Sequence, residues 1–307
     1  MATTEPVIKT NHLTKRYANL TAVDQLDLEV QRGEVFGFLG LNGAGKTTTL
    51  RMLLGLIKPT SGSAIVAEHS PGDPEGLHRI GSLIEGPAFY PYLSAKENLK
   101  VVADYAGAPF TRIDAALDQV GLLSRSHDRF ASYSMGMKQR LGVAAALIKD
   151  PELMILDEPT NGLDPEGVVE MRALIRRLGS GDRTVILSSH LLNEVEQTCD
   201  RVAIIDHGKL ARQGTVHELR GEAALVVRAI PADGARRTLE GMVGSTAIAV
   251  ADSTFRVKVD PDRAAEINTA LVSAGIRVSE LRPAERTLED VLLTVTKQKK
   301  EEGAAAA

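Results

Sequence analysis

A single lysine ends a glycine-rich stretch between two apolar runs in "EVFGFLGLNGAGKTTTLRMLLGL", residues 34–56. Residues Gly40 to Thr47 match the pattern G-x-x-x-x-G-K-S/T, the phosphate-binding loop called the P-loop. Glycines in such a loop let backbone N–H groups surround phosphate oxygens, and the lysine reaches the β and γ phosphates. The hydroxyl that follows the lysine suits Mg²⁺. Lys46 and Thr47 are therefore predicted to hold a nucleotide and its metal ion.

The elements on either side of this loop favour a nucleotide site over a chance glycine-rich turn. "VFGFLG" is a short apolar run typical of a buried strand, and "TTTLRMLLGLIKP" contains helix formers until Gly55 and Pro59. The N-terminus of that helix would add roughly half a positive charge beside the phosphates. The residues expected to contact the nucleotide are Gly40, Asn42, Gly43, Ala44, Gly45, Lys46, Thr47 and Thr48.

Two adjacent carboxylates follow a second apolar strand in "LMILDEP", residues 153–159. Ligands of open α/β sheets bind at the carboxyl ends of the strands, where these acids are expected to lie. Asp157 suits Mg²⁺, and Glu158 is placed to orient and deprotonate an attacking water. The pair favours hydrolysis over phosphoryl transfer to a second substrate. The alternative, two solvated acids before Pro159, is less consistent with a P-loop in the same chain.

A third strand, "RTVILSS", leads to His190 and then to "LLNEVEQTCD", which has helical spacing of apolar residues. His190 at a strand end is predicted to meet the γ phosphate and act in catalysis, and the alternative is a structural histidine. The sequence contains no N-K-x-D tetrapeptide, the element that reads guanine. GTP is therefore disfavoured as the nucleotide.

Residues 87–150 have helical periodicity and predict an inserted helical subdomain. Within it, "YSMGMKQRLGVAAAL" places Ser134 and Gly136 before a helix whose first turn can present N–H groups to an anion. The P-loop already supplies one helix N-terminus to the phosphates. This second phosphate-binding position is therefore predicted to contact the ATP of a partner chain.

In this order, the motifs resemble the ATP-binding subunit of ABC transporters over about residues 7–220. Tyr17 in "LTKRYANLTAVD" is the candidate for the aromatic A-loop, and Asp164 in "NGLDP" corresponds to the D-loop. The chain is most similar to the drug and antimicrobial-peptide export class, which includes bacitracin-type exporters and lantibiotic immunity systems. The resemblance implies an ATPase at the cytoplasmic face of the membrane, with ATP and Mg²⁺ as cofactors.

The resemblance also implies two kinds of partner. One is a second copy of the chain, packed head to tail, so that each ATP lies between the P-loop of one copy and Ser134 with Gly136 of the other. The second is a set of separate integral-membrane permease subunits that carry the exported drug, antibiotic, peptide or lipid-like substrate. The closing and opening of the dimer would pass to the permease as a conformational switch.

Two motifs depart from the pattern of the wider family. The signature L-S-G-G-Q is Y-S-M-G-M at 133–137, and the Q-loop glutamine is replaced by Glu85 in "IGSLIEGPAFYPYL". Glu85 is hypothesised either to bind Mg²⁺ or to pair with a Lys or Arg of the permease. Its aromatic neighbours Phe89, Tyr90 and Tyr92 suit permease docking and subdomain packing equally.

These features predict an α/β fold with a P-loop ABC ATPase core, comprising an antiparallel β subdomain and a helical subdomain, followed by a small α+β module. The ATPase domain is expected at residues 5–221. An accessory or regulatory domain is expected at 222–297, in the order β-α-β-β-α-β of ferredoxin-like modules with a final helix. The charged end at 298–307 is expected to be disordered.

Composition excludes several other classes of protein. The 307 residues, 43% of them hydrophobic and 25% charged, are typical of a globular chain with two domains. A net charge of −4 gives no electrostatic reason to bind nucleic acid. The single cysteine, Cys199, fits a reducing compartment and a buried thiol. No apolar run approaches 18 residues and no signal peptide is recognisable, so membrane association is expected through the permease.

Two alternatives to an exporter ATPase remain open. A soluble ABC ATPase that acts on ribosomes or DNA usually carries two ATPase units or a long coiled-coil insertion, and this sequence shows neither. An importer ATPase is the other alternative, but carbohydrate importers tend to carry a β-rich barrel where this chain predicts an α+β module.

Overall fold

The computed structural model describes residues 5–220, 224–251, 253–284 and 287–289. The chain divides into two compact units, Met1–Val216 and His217–Ala307. Of the final helix that the sequence predicts in "LEDVLLTVT", residues 288–296, only residues 288 and 289 are described, and the predicted tail at 298–307 lies outside the described residues. Within the described ranges, no helix combines the length and apolar character needed to span a membrane.

The first unit builds two sheets and a set of helices. Its described strands are β1 (Ile8–Tyr17), β2 (Leu20–Leu26), β3 (Glu29–Val30), β4 (Val35–Leu39), β5 (Ser61–Val66), β6 (Ile80–Leu83), β7 (Leu153–Asp157), β8 (Thr184–Ser189), β9 (Arg201–Asp206) and β10 (Lys209–Thr215). Its described helices are α1 (Lys46–Leu53), α2 (Pro74–His78), α3 (Ala95–Ala106), α4 (Arg112–Gln119), α5 (Met135–Leu147), α6 (Pro165–Leu178) and α7 (Leu192–Thr198), and α8 (Val216–Arg220) lies at the division between the units.

The larger sheet has the strand order β10-β9-β4-β8-β7-β6, and all its neighbours are parallel except β10 and β9. Every residue of β4, β7 and β8 is buried, as expected for parallel strands covered on both faces. Because β8 lies between β4 and β7, the carboxyl ends of these three strands are adjacent. This edge is where the P-loop, the two acids and the histidine emerge.

The smaller sheet is antiparallel, with β1 at its centre and β2, β3 and β5 paired to it. The hydrophobic core of the unit combines residues of both sheets with α1, and Phe36 and Phe38 of β4 are fully buried in it. Burying a side chain of that size stabilises a fold by about 2–3 kcal/mol, so this core fixes β4 and the loop that follows it. Cys199 is buried as the sequence predicts, and burial raises the pKa of its thiol.

Helices α3, α4 and α5 form the insertion between β6 and β7. Ser94 and Glu97 form a reciprocal capping box at the start of α3. Asn98, only 1% exposed, holds the loop before that helix through its amide. Its Oδ1 accepts the Tyr90 N–H at 2.8 Å, and its Nδ2 donates to the carbonyls of Tyr90 at 3.1 Å, Ser94 at 3.0 Å and Leu93 at 3.4 Å. The loop 90–94 is therefore fastened to α3 at several points.

The described part of the second unit contains β11 (Ala224–Ile230), α9 (Ala232–Val243), β12 (Ile248–Ala251), β13 (Thr254–Lys258), α10 (Ala264–Ser273) and β14 (Arg277–Pro283). The order β-α-β-β-α-β is the one that the sequence predicts. The sheet is antiparallel, with the order β12-β13-β11-β14. Alternate residues such as Leu225, Val227, Phe255 and Val257 are buried in one core with residues of α9 and α10.

Candidate nucleotide site

The loop between β4 and α1 has a backbone that only glycine fits at two positions. Gly45 has φ of +105°, and a Cβ there would lie 2.4 Å from the carbonyl oxygen of Ala22. A Cβ on Gly40 would lie 2.6 Å from the carbonyl oxygen of Ile205. The glycines of the sequence motif therefore allow the loop to pack closely against its neighbours. Lys46 begins α1 at the end of this loop.

Lys46 is buried, with 6% of its surface exposed, and its ammonium lies among three oxygen atoms. Nζ donates to the carbonyl oxygens of Gly40 at 2.7 Å and Leu41 at 3.4 Å. It also lies 3.2 Å from Oε1 of Glu158. These contacts hold the cation at the P-loop, where terminal phosphate oxygens could replace part of its present set of acceptors.

The side chains of Thr47 and Asp157 meet across the sheet edge, with Thr47 Oγ1 donating to Asp157 Oδ2 at 2.8 Å. A hydroxyl and a carboxylate are hard oxygen donors of the kind that Mg²⁺ takes, together with phosphate oxygens and water. The donor set therefore fits Mg²⁺. The other oxygen of Asp157 accepts a hydrogen bond from the hydroxyl of Ser188. Ser188 was not among the site residues predicted from the sequence, although a polar residue at the end of the apolar strand "RTVILSS" could have indicated it.

Glu158 and His190 also come together at this edge. His190 Nδ1 lies 2.8 Å from Glu158 Oε2, so the two carboxylate oxygens of Glu158 face an imidazole and the Lys46 ammonium. Both side chains are partly exposed, Glu158 by 20% and His190 by 34%. Glu158 has φ of +48°, a left-handed conformation that is uncommon outside glycine. The structure thus brings five sequence-predicted site residues together: Lys46, Thr47, Asp157, Glu158 and His190.

Ser134, Gly136 and Asp164 lie elsewhere, around one cavity of about 470 Å³ that no P-loop residue lines. Ser134 caps α5, its hydroxyl accepting the Met137 N–H at 3.3 Å. Asp164 caps α6, accepting the Gly167 N–H at 3.0 Å. The predicted site residues therefore form two clusters in one chain.

Tyr17 and Glu85 are outside both clusters. Tyr17 ends β1 with 45% of its surface exposed, and the Lys15 ammonium lies 5.0 Å from the centre of its ring. Glu85 has φ of +66°, and its carboxylate pairs with Arg51 of α1. This partner within the chain differs from both partners hypothesised from the sequence.

The aromatic residues after Glu85 divide into packed and exposed side chains. Phe89 packs edge-on against Phe130, with ring centres 5.2 Å apart. Tyr90 and Tyr92 are 47% and 66% exposed, and their ring centres are 5.8 Å apart. Packing within the subdomain accounts for Phe89, whereas the two tyrosines remain available at the surface.

The pairing of Glu85 with Arg51 leads to a testable prediction. We expect Glu85→Gln to leave the Mg²⁺ concentration for half-maximal ATPase activity within about 2-fold of wild type, since the carboxylate is occupied by Arg51. Because the glutamate is 66% exposed, the loss of stability should be about 1 kcal/mol or less. Arg51→Gln should destabilise the chain similarly, and the double variant little further, in urea unfolding. A 10-fold change in Mg²⁺ requirement would instead identify Glu85 as a metal ligand.

A P-loop before α1, two acids ending β7 and a histidine after β8 together define a P-loop ATPase. The family model described as ABC transporter matches residues 23–161. The uncharacterized ABC transporter ATP-binding protein YdbJ of Bacillus subtilis (strain 168) is 37% identical over 305 residues, covering 97% of this chain and 98% of that protein. The bacitracin transport ATP-binding protein BcrA of Enterococcus faecalis is 38% identical over 294 residues, which cover 93% of this chain and 95% of that protein.

A solved structure of the ATP-binding subunit of an ABC transporter superposes with a TM-score of 0.62 at 27% identity, covering 70% of this chain and 92% of that one. The chain belongs to the family of ABC transporter ATP-binding proteins. It is an ATPase of this family, and the ABC ATPase fold and the family predicted from the sequence are confirmed.

Proposed function

We propose that this chain hydrolyses ATP with Mg²⁺ as one half of a homodimer and thereby powers export through a separate membrane permease. The observation that carries the proposal is the meeting of Lys46, Thr47, Asp157, Glu158 and His190 at the adjacent ends of β4, β7 and β8. The similarity to a bacitracin transport protein over nearly the whole chain supports an antibiotic, peptide, drug or lipid-like substrate.

Each side chain of the cluster has a distinct role in this proposal. Lys46 exchanges part of its present oxygen contacts for the β and γ phosphates, and the P-loop N–H groups bind further phosphate oxygens. Thr47 and Asp157 would hold Mg²⁺, which offsets negative charge on the phosphates when bound. Glu158 takes a proton from the attacking water as general base. His190, in contact with Glu158, orients that carboxylate beside the γ phosphate.

The second cluster supports a composite site between two chains. Ser134, Gly136 and Asp164 share a cavity that the P-loop of the same chain does not line. The N-terminus of α5 offers N–H groups to an anion, as a helix start generally does. In a head-to-tail dimer it would contact the γ phosphate held by the partner, so ATP would join the two chains and hydrolysis would loosen them.

The loop 90–94 is the surface we propose for the permease. Tyr90 and Tyr92 are exposed there, and tyrosine is common in the centres of protein interfaces. The chain would then lie at the cytoplasmic face of the membrane, attached through that partner. For the second unit we propose a dimer-stabilising or regulatory role.

Mixing two inactive variants tests the composite site. Ser134→Arg should prevent the N-terminus of α5 from contacting the partner's ATP, and Lys46→Ala should prevent the P-loop from binding ATP. Each variant alone is therefore expected to be inactive. A mixed dimer keeps one intact composite site, and about half of the dimers in an equal mixture are mixed. We expect the mixture to recover up to about a quarter of wild-type ATPase activity. Uniformly inactive mixtures would contradict independent composite sites.

The export function is tested by expressing the tagged chain together with a candidate permease, a protein with several apolar segments of about 20 residues that an adjacent gene encodes. Co-purification of the two, followed by stimulation of ATPase activity by bacitracin or another compound of a panel, is the expected result. Glu158→Gln in the same complex controls for contaminating ATPases. Recovery of the chain on ribosomes or DNA without a membrane protein would favour the soluble alternative.

A further inference from the structure

Ser188 connects the two acids of the site through a single hydroxyl group. It lies directly opposite Asp157 in the parallel pairing of β8 with β7, and its surface is completely buried. Its Oγ donates to Asp157 Oδ1 and accepts the backbone N–H of Glu158 at 2.9 Å. The proton of the hydroxyl and one of its lone pairs are thereby both engaged.

One of these two bonds constrains the carboxylate of Asp157, and the other constrains the backbone of Glu158. The bond to Oδ1 orients the Asp157 carboxylate so that Oδ2 faces the hydroxyl of Thr47. The bond from the Glu158 N–H restrains a residue whose φ of +48° is unfavourable for a side chain of this type. That backbone conformation sets the direction in which the Glu158 carboxylate leaves the strand.

We infer that Ser188 is a positioning residue, which fixes the Asp157 carboxylate toward the metal and the Glu158 carboxylate toward the attacking water. The inference rests on the proposed roles of Asp157 and Glu158. Ser188 itself contacts neither phosphate nor water in this assignment. Its loss should therefore affect the metal-dependent part of binding and the rate of hydrolysis, and should spare metal-independent ATP binding.

The test compares three serine variants of the full chain. Ser188→Ala should lower kcat about 10–100-fold, since a shift of about 1 Å at a reacting group can cost up to about 100-fold. Ser188→Thr keeps the hydroxyl and should retain kcat within about 5-fold. Ser189→Ala is the matched control, because Ser189 is equally buried on the same strand but accepts the Leu191 N–H at 2.9 Å. It should stay within about 3-fold of wild type.

A calorimetric readout separates positioning from a general loss of structure. ATP affinity is measured in EDTA and again with Mg²⁺, for each variant. In Ser188→Ala the affinity in EDTA should be unchanged within about 2-fold, while the tightening caused by Mg²⁺ should fall about 10-fold. If Ser188→Ala does not fold, Ser188→Cys is used instead and compared with Ser188→Thr, because a thiol is only a weak hydrogen-bond donor.

The inference is wrong if Ser188→Ala matches wild type in kcat and in the Mg²⁺ effect, or if Ser188→Thr and Ser189→Ala lose as much as Ser188→Ala. It also fails if Ser188→Cys, used as the substitute, behaves as Ser188→Thr does. The proposed function fails separately, if Glu158→Gln hydrolyses ATP at the wild-type rate. A slow Glu158→Gln together with an unaffected Ser188→Ala would overturn the role of Ser188 alone.

Discussion

Lys46→Ala should weaken ATP binding at least about 100-fold while leaving the chain folded. The ammonium of Lys46 is buried at the end of the P-loop, where charge-assisted hydrogen bonds to phosphate are among the strong interactions available. A 100-fold loss corresponds to about 2.7 kcal/mol of binding free energy. Calorimetric titration with ATP measures it, and circular dichroism checks the fold.

The matched control for this variant is Lys96→Ala. Lys96 is also a lysine in the first turn of a helix, but its ammonium pairs with Asp114 within the helical subdomain. Its removal should change ATP affinity less than about 2-fold. If Lys46→Ala binds ATP within a few-fold of wild type, the P-loop assignment of Lys46 is wrong.

Glu158→Gln should bind ATP, hydrolyse it at least about 100-fold more slowly, and accumulate as an ATP-bound dimer. A glutamine keeps the shape of the side chain but cannot accept a proton from water, and general bases contribute about 10²–10⁴-fold in rate. The substitution also removes the charge that lies 3.2 Å from Lys46 in the structure, so ATP affinity should not decrease. Single-turnover hydrolysis and size-exclusion chromatography with ATP measure the two effects.

Glu75→Gln is the control for Glu158→Gln, because Glu75 is an exposed carboxylate in the first turn of α2. It should hydrolyse ATP at the wild-type rate and elute as wild type does. Unchanged turnover of Glu158→Gln in the assembled transporter would show that another group is the base.

The sequence was sufficient to predict the elements that carry the site. The strands before Lys46, Asp157 and His190 are short apolar runs, and burial on both faces of a parallel sheet demands such runs. The glycines around the P-loop identify a backbone that other residues cannot adopt. The β-α-β-β-α-β order of the second unit was equally visible, because its central strands β11 and β13 have inward-facing residues that alternate with more exposed ones.

Contacts between distant side chains could not be predicted in the same way. The bond from Ser188 to Asp157 depends on the register of β8 against β7, which no pattern within either strand specifies. The pairing of Arg51 with Glu85 joins residues on a helix and a loop that only the folded chain brings together. Both contacts arise from tertiary packing, so sequence patterns indicated the polar residues but not their partners.

Asn98 lowers the entropy cost of binding a partner at the surface that bears Tyr90 and Tyr92. A free loop of this length would lose about 1–2 kcal/mol of backbone conformational entropy per residue on being immobilised by a partner. The buried amide of Asn98 already fixes this loop through the main chain of Tyr90, Leu93 and Ser94. A permease that docks there as proposed would therefore meet a loop that is already ordered, so that more of its contact energy would appear as affinity.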